Sequence, residues 1–90
     1  MTKNKKSKLS PEFIGKAIKK ARLSKDLSQE ELGEKIGVGR SHISKLETGA
    51  KKNLTLSAIA QIFEAMESEM FISITDNEGN EVFSTGNKSK

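Results

Sequence analysis

Ser28-Gln29-Glu30-Glu31-Leu32-Gly33-Glu34-Lys35-Ile36-Gly37-Val38-Gly39-Arg40-Ser41-His42-Ile43-Ser44-Lys45-Leu46-Glu47-Thr48-Gly49 holds two short amphipathic segments around a Gly-Val-Gly break. Ser28 followed three residues later by Glu31 is a capping box, in which each side chain satisfies a backbone N–H of the other's turn. Leu32 and Ile36 give the first helix an inward edge, and Gly33 lets a neighbouring helix approach closely. Gly37 ends it in the left-handed conformation that glycine tolerates. Val38 plugs the turn, Gly39 stands at the N-cap of a second helix, and Ile43 and Leu46 bury that helix before Gly49 stops it. The break is too short for a flexible linker, so the spacing predicts a helix-turn-helix. The second helix offers Arg40, Ser41, His42, Ser44 and Lys45, a basic hydrogen-bonding set where an enzyme would need carboxylates or a nucleophile pair.

Outward from this stretch, Ser10-Pro11-Glu12 reads as a helix start, with Ser at the N-cap, Pro at the first position and an acid in the first turn. That helix runs to about Lys25. Phe13, Ala17 and Ala21 form one row and Ile14, Ile18 and Arg22 the next, giving an apolar face that ends in a cation. Residues 1–9 carry Lys3, Lys5, Lys6 and Lys8 with almost nothing apolar and are expected to be a flexible basic arm. On the other side, residues 50–54 read as a basic loop containing Lys51 and Lys52. Thr55 caps a fourth helix to about Met66, with Leu56, Ile59, Ala60, Phe63 and Met66 at helical spacing. Met70 to Thr75 and Glu81 to Ser84 read as strands around the turn-forming Asp76-Asn77-Glu78-Gly79-Asn80. A hairpin alone is marginal in water, so it must pack on the helices or pair with another chain. The expected organisation is a basic arm over 1–9, a helical domain over 10–67, a β segment over 68–84 and a disordered tail over 85–90.

Ninety residues supply one core. Hydrophobic residues make up 33% and charged residues 31%, ordinary for a small soluble helical domain. No apolar run is long enough to cross a bilayer, and the lysines at the N-terminus precede no apolar signal core. With no cysteine and one histidine, neither a disulfide framework nor a metal cluster is expected, and a cytoplasmic location follows naturally. Charge is divided unevenly. Residues 1–52 hold 14 Lys/Arg against 6 Asp/Glu, a balance of +8, while residues 53–90 hold 2 against 6, a balance of −4. A basic front and an acidic back point to a polyanion on one side only.

The signature Ser28-Gln29-Glu30-Glu31-Leu32, Gly37, Ile43, Leu46-Glu47 and Gly49 resembles the helix-turn-helix family of phage Cro and repressor proteins (the XRE family), which includes small bacterial regulators and antitoxins. The resemblance covers Phe13 to Met66. It implies a mainly α fold, a four-helix lambda-repressor-like DNA-binding bundle, here followed by a C-terminal β-strand or hairpin. By position, Gln29 matches the family glutamine that braces the backbone at the start of the second helix. Arg40, Ser41, Ser44 and Lys45 match positions whose side chains reach base edges. Arg40 can pair bidentately with guanine, while Lys45 either does the same or touches phosphate. Lys51 and Lys52 fit the loop flanking the sugar-phosphate backbone. His42 either reaches DNA or sits on the flank of the reading helix. Arg22 and Glu47 resemble the family's internal ion pair. Gly39 replaces a common Ser or Thr, Thr48 a common Asn and Gly33 a common Ala. The usual fifth helix gives way to the β segment, so the family's dimer interface does not transfer.

These features imply a transcriptional repressor that binds double-stranded DNA as a homodimer on an inverted repeat, because two reading heads double the contact made by one. Met70, Ile72 and Ile74 are the expected dimerisation residues, since an unpaired strand edge needs a partner, although the isoleucines could instead cover their own helical core. The alternative is an antitoxin that represses its own operon and also neutralises a toxin protein, for which the acidic second half would suit a basic partner. An enzyme is not expected: no nucleophile–base set, phosphate-cradling loop, metal-ligand spacing or cofactor motif is present. RNA binding is disfavoured because the chain lacks Trp and Tyr and its four Phe read as structural.

Overall fold

A computed structural model of the chain describes residues 9–86. The expected basic arm, apart from Leu9, and the end of the expected tail lie outside them. The elements in order are α1 (Pro11–Ser24), α2 (Gln29–Ile36), α3 (Arg40–Thr48), α4 (Leu56–Ala65), β1 (Ser73–Thr75) and β2 (Glu81–Ser84). The fold is therefore mainly α, four helices followed by a small antiparallel hairpin, as the sequence implies.

The helix boundaries follow from their caps. Ser10 Oγ accepts from the Phe13 N–H at 3.1 Å. Ser28 Oγ accepts from the Glu31 N–H at 3.0 Å, and Glu31 Oε1 accepts from the Ser28 N–H at 2.8 Å, so the capping box is complete. Thr55 Oγ1 caps α4 through the Ala58 N–H at 3.0 Å. Gly37 (φ 81°) and Gly49 (φ 84°) end α2 and α3 in the left-handed region. Among the described residues, α3 is the one helix that starts without a side-chain cap, because Gly39 has no oxygen to offer.

Ile18, Leu32, Ile43, Leu46, Ile62 and Met66 form the buried core, with Val38 and Ile36 packed against it. Each helix contributes at least one residue, so the turn between α2 and α3 is clamped from both sides. The row Ile14–Ile18–Arg22 turns inward on α1. Phe13 lies about 100° behind Ile14 on the helix and is half-exposed, contrary to its expected place on the inner face. Leu56, read at the helical spacing of the fourth helix, is likewise exposed: at the first turn of α4 it precedes the inward stripe of Ile59, Ile62 and Met66. Phe71 and Phe83 are also more than half exposed, so three of the four Phe are not the buried structural residues expected.

The hairpin is shorter than its sequence suggests. Met70 to Ile72 precede β1, and Ile74 faces Phe83 across the ladder. A register shift between Ile74 and Thr75 leaves Val82 as the extra residue of β2. Asp76 Oδ1 accepts from the N–H groups of Glu78 and Asn80, both at 2.9 Å, which closes the turn. Thr85, expected in the disordered tail, extends the pairing: its N–H donates to Ile72 O and its Oγ1 accepts from the Ile72 N–H, each at 2.9 Å.

Candidate nucleic-acid interface

The inward stripe of α3 is Ile43, Leu46 and Glu47, all buried. By helical geometry the opposite side carries Ser41, Ser44, Lys45 and Thr48 at one-turn spacing, with Arg40 beside them. Arg40, Ser41, Lys45 and Thr48 are exposed and Ser44 is half-buried. His42 is half-buried at the margin of this face. Thr48 Oγ1 is turned back onto Lys45 O at 3.2 Å, so its hydroxyl proton is used within the helix.

Behind this face Arg22 and Glu47 join α1 to α3. Arg22 Nε donates to Glu47 Oε2 at 2.6 Å and Nη2 to Oε1 at 3.1 Å, with both side chains almost fully buried. Arg22 Nη1 also donates to Leu27 O at 2.7 Å, which fixes the link between α1 and α2. Gln29 Nε2 donates to Glu47 Oε1 at 3.0 Å. The amide of this expected DNA contact is thus engaged inside, tying the start of α2 to α3. Burial pushes the Glu47 carboxyl up, but the hydrogen bonds from Arg22 and Gln29 and the guanidinium charge together hold it below the ordinary carboxylate range. The bond to Glu47 raises the Arg22 pKa in turn.

Two glycines set how closely these elements approach. A Cβ on Gly15 would stand 2.4 Å from Leu46 O and 2.7 Å from Glu47 O, so α1 lies directly on the α3 backbone there. A Cβ on Gly33 would meet Val38 O at 2.5 Å. The close neighbour expected at Gly33 is therefore the turn itself rather than another helix. Gly15 carried no sequence signal beyond its place in a helical pattern.

The flanking cations diverge. Lys51 is half-buried in the loop after α3. Lys52 reaches the start of α1, where Nζ stands 3.5 Å from Glu12 Oε2, an exposed pair. The Glu12 carboxyl is held below its ordinary range by its backbone N–H and by the Lys52 charge. Arg40, Ser41 and Lys45 therefore share one surface, Gln29 is committed behind it, and Lys52 is partly drawn toward α1. Met70 and Ile72 are half-buried and Ile74 is half-exposed, all at the opposite end of the chain's described part. Sequence reading missed the exposed apolar set around them, Phe13, Leu56, Phe71, Val82 and Phe83, because helical and strand spacing marks apolar residues without saying which face finds a neighbour.

Two helices clamped at a tight turn, with a polar and basic second helix turned outward, define a helix-turn-helix protein. The family model HTH_3, described as helix-turn-helix, matches residues 18–70. This chain belongs to that family. A solved structure similar to it, with a TM-score of 0.63, is the crystal structure of the clp gene regulator ClgR from C. glutamicum. The two share 27% sequence identity over 74% of this chain and 83% of that one. No curated protein matches. Among the described residues no helix is long and apolar enough to cross a membrane, and no acid or histidine cluster could hold a metal ion.

Proposed function

We propose that this chain is a DNA-binding transcriptional regulator, a dimeric repressor that lays α3 in the major groove of an inverted-repeat operator. The observation that carries the reading is the outward face of α3. Arg40, Ser41, Ser44 and Lys45 stand on a helix whose position is fixed from behind by the buried Arg22–Glu47 pair. A reading head must be rigid, because a bidentate bond from guanidinium to a guanine edge tolerates little misplacement. The uncapped first turn of α3 adds N–H donors and a favourable dipole for a phosphate. Lys51, Lys52 and His42 flank this contact, and Gln29 supports it through Glu47. Family membership and the likeness to a gene regulator support the same reading. Dimerisation falls to the C-terminal segment with Met70, Ile72 and Ile74.

The test is selection of bound DNA from a random pool, followed by binding to the selected and a scrambled site. Arg40→Ala combined with Lys45→Ala is expected to remove the preference for the selected site while circular dichroism stays unchanged. Retention of full discrimination by the folded double variant refutes the reading. The acidic balance of residues 53–90 and the exposed apolar hairpin favour one second role, an antitoxin that also binds a basic toxin. Co-purification of a small basic protein that the chain renders harmless would establish it.

A further inference from the structure

A cleft of about 660 Å³ opens on the side of the molecule formed by the start of α1, the first half of α4 and the segment leading into β1. Phe13, Leu54, Leu56, Ile59, Phe63 and Phe71 are among the residues of its wall, and no α3 residue lines it. Among the described residues, Lys52 is the one charged residue that lines it. The hairpin, meanwhile, pairs with itself and barely touches the helices. Ile74 and Phe83, neighbours on one face of the ladder, are 49% and 55% exposed, and the bulged Val82 is 64% exposed. Both a large open apolar cleft and an uncovered apolar hairpin are unusual on a protein that works alone.

We propose that the two are complementary: the hairpin of a second copy of this chain, led by Phe83 and Ile74, docks in the cleft, and the reverse contact is made at the same time. The proposal rests on the dimeric reading above and specifies its interface. The composition of the chain's two ends offers little apolar surface to bury in the cleft. Residues 1–8 contain four lysines and one apolar residue, Met1, and residues 87–90 read Asn-Lys-Ser-Lys. Charge agrees with the choice. The hairpin span 73–84 carries Asp76, Glu78 and Glu81 and no Lys or Arg, whereas the cleft is lined by Lys52, whose exposed pairing with Glu12 leaves its ammonium open to a second carboxylate. Because one chain owns both plug and socket, a two-fold axis closes both contacts at once and leaves no open end. The interface differs from strand-to-strand pairing, in which the edges meet and the cleft stays empty. It also leaves the α3 faces of both copies free, while Lys52 serves the dimer contact in place of the flank of the DNA.

Sedimentation of the full chain with Leu56→Glu and Phe83→Lys tests this. Both positions are exposed, and an acid at the first turn of α4 suits the helix dipole, so helix content is expected to stay unchanged. Each variant alone is expected to dimerise at least tenfold more weakly than the wild type. An equimolar mixture is expected to recover the dimer, since one contact becomes Glu–Lys and the other is native. A dimer weakened by Phe83→Lys but not by Leu56→Glu means hairpin-to-hairpin pairing and overturns the proposal, as does a mixture that fails to recover. A wild-type chain that sediments as a monomer, or associates only with a toxin, overturns it together with the dimeric reading. Site preference of the Arg40/Lys45 variant, measured separately, still decides the DNA reading in that case.

Discussion

Arg22 and Glu47, 25 positions apart in the chain, meet in a two-pronged ion pair whose shorter contact is 2.6 Å. Their side chains are only 8% and 4% exposed. Each charge has its partners: Arg22 also serves Leu27 O, and Glu47 also receives Gln29. The pair thereby joins α1, α2 and α3 and holds α3 from behind.

Removal of one partner strands the other charge in the interior. Arg22→Ala is therefore expected to cost about 3–5 kcal/mol, a large share of the stability of so small a domain. Gln29→Ala removes one hydrogen bond to a charged group and is expected to cost about 1.5 kcal/mol. Urea unfolding followed by far-UV circular dichroism measures both. An Arg22→Ala midpoint equal to the wild type would show that the pair contributes little.

The same pair sets an acid limit. The folded-state pKa of Glu47 lies below the ordinary value, so the folded state binds fewer protons than the unfolded chain as pH falls toward the acid range. Its contribution is fully present above the unfolded carboxylate pKa of about 4.3 and is lost as pH falls through the depressed folded value. Stability is expected to stay level from neutrality to about pH 5 on this account and to decline below it. In Glu47→Gln that part of the acid slope should vanish. A variant that keeps the wild-type slope would assign acid sensitivity to other carboxylates, with Glu12 and Asp76 the first to test.

The local elements were legible because short-range chemistry writes them. Ser10, Ser28 with Glu31, and Thr55 mark the helix starts, and Gly37 and Gly49 mark two ends, through bonds that span three or four residues. The alternation and turn residues of 70–84 likewise announce a hairpin. What spacing did not settle was which face of an apolar stretch finds a neighbour. Phe13 and Leu56 sit at helical spacing yet stand outside, because the rows that turn inward are fixed by packing between elements far apart in sequence. Glycine roles that depend on a second element were equally hidden. Gly15 reads as a weak helix residue until the α3 carbonyls arrive 2.4 Å from where its Cβ would be. The outward face of α3 was legible by subtraction, once Ile43 and Leu46 were set inside.

The glycines separate into two kinds by what an added methyl meets. Gly15→Ala drives a Cβ into backbone carbonyl oxygens of Leu46 and Glu47, and Gly33→Ala into that of Val38. Backbone cannot rotate away as a side chain does, so each is expected to destabilise by about 1–3 kcal/mol, despite a helix propensity that favours Ala by about 1 kcal/mol. Gly39 meets nothing within 4 Å, and its φ of −83° suits any residue. Gly39→Ser supplies the missing cap oxygen and is expected to stabilise by a few tenths of a kcal/mol. Thermal melting of the three variants checks the signs. A stabilised Gly33→Ala protein would show that the turn yields where the geometry says it is tight.

Arg40 and Lys51 should differ in what they contribute to DNA binding, although both are cations. Arg40 starts α3 beside Ser41 and Ser44, the face proposed to read base edges, while Lys51 follows Gly49 in the loop proposed to flank the sugar-phosphate chain. Loss of a base-edge contact weakens the selected site by about 1–3 kcal/mol and relaxes preference at one base pair. A lost phosphate contact weakens all sequences alike and lowers the salt slope by about one unit. Arg40→Ala is therefore expected to flatten the difference between selected and scrambled DNA, and Lys51→Ala to keep that difference while reducing the salt dependence. Binding measured over a range of salt concentrations on both DNAs separates the two. If Lys51→Ala alters the preferred sequence and Arg40→Ala only the salt slope, the orientation of α3 in the groove must be reversed from the one proposed.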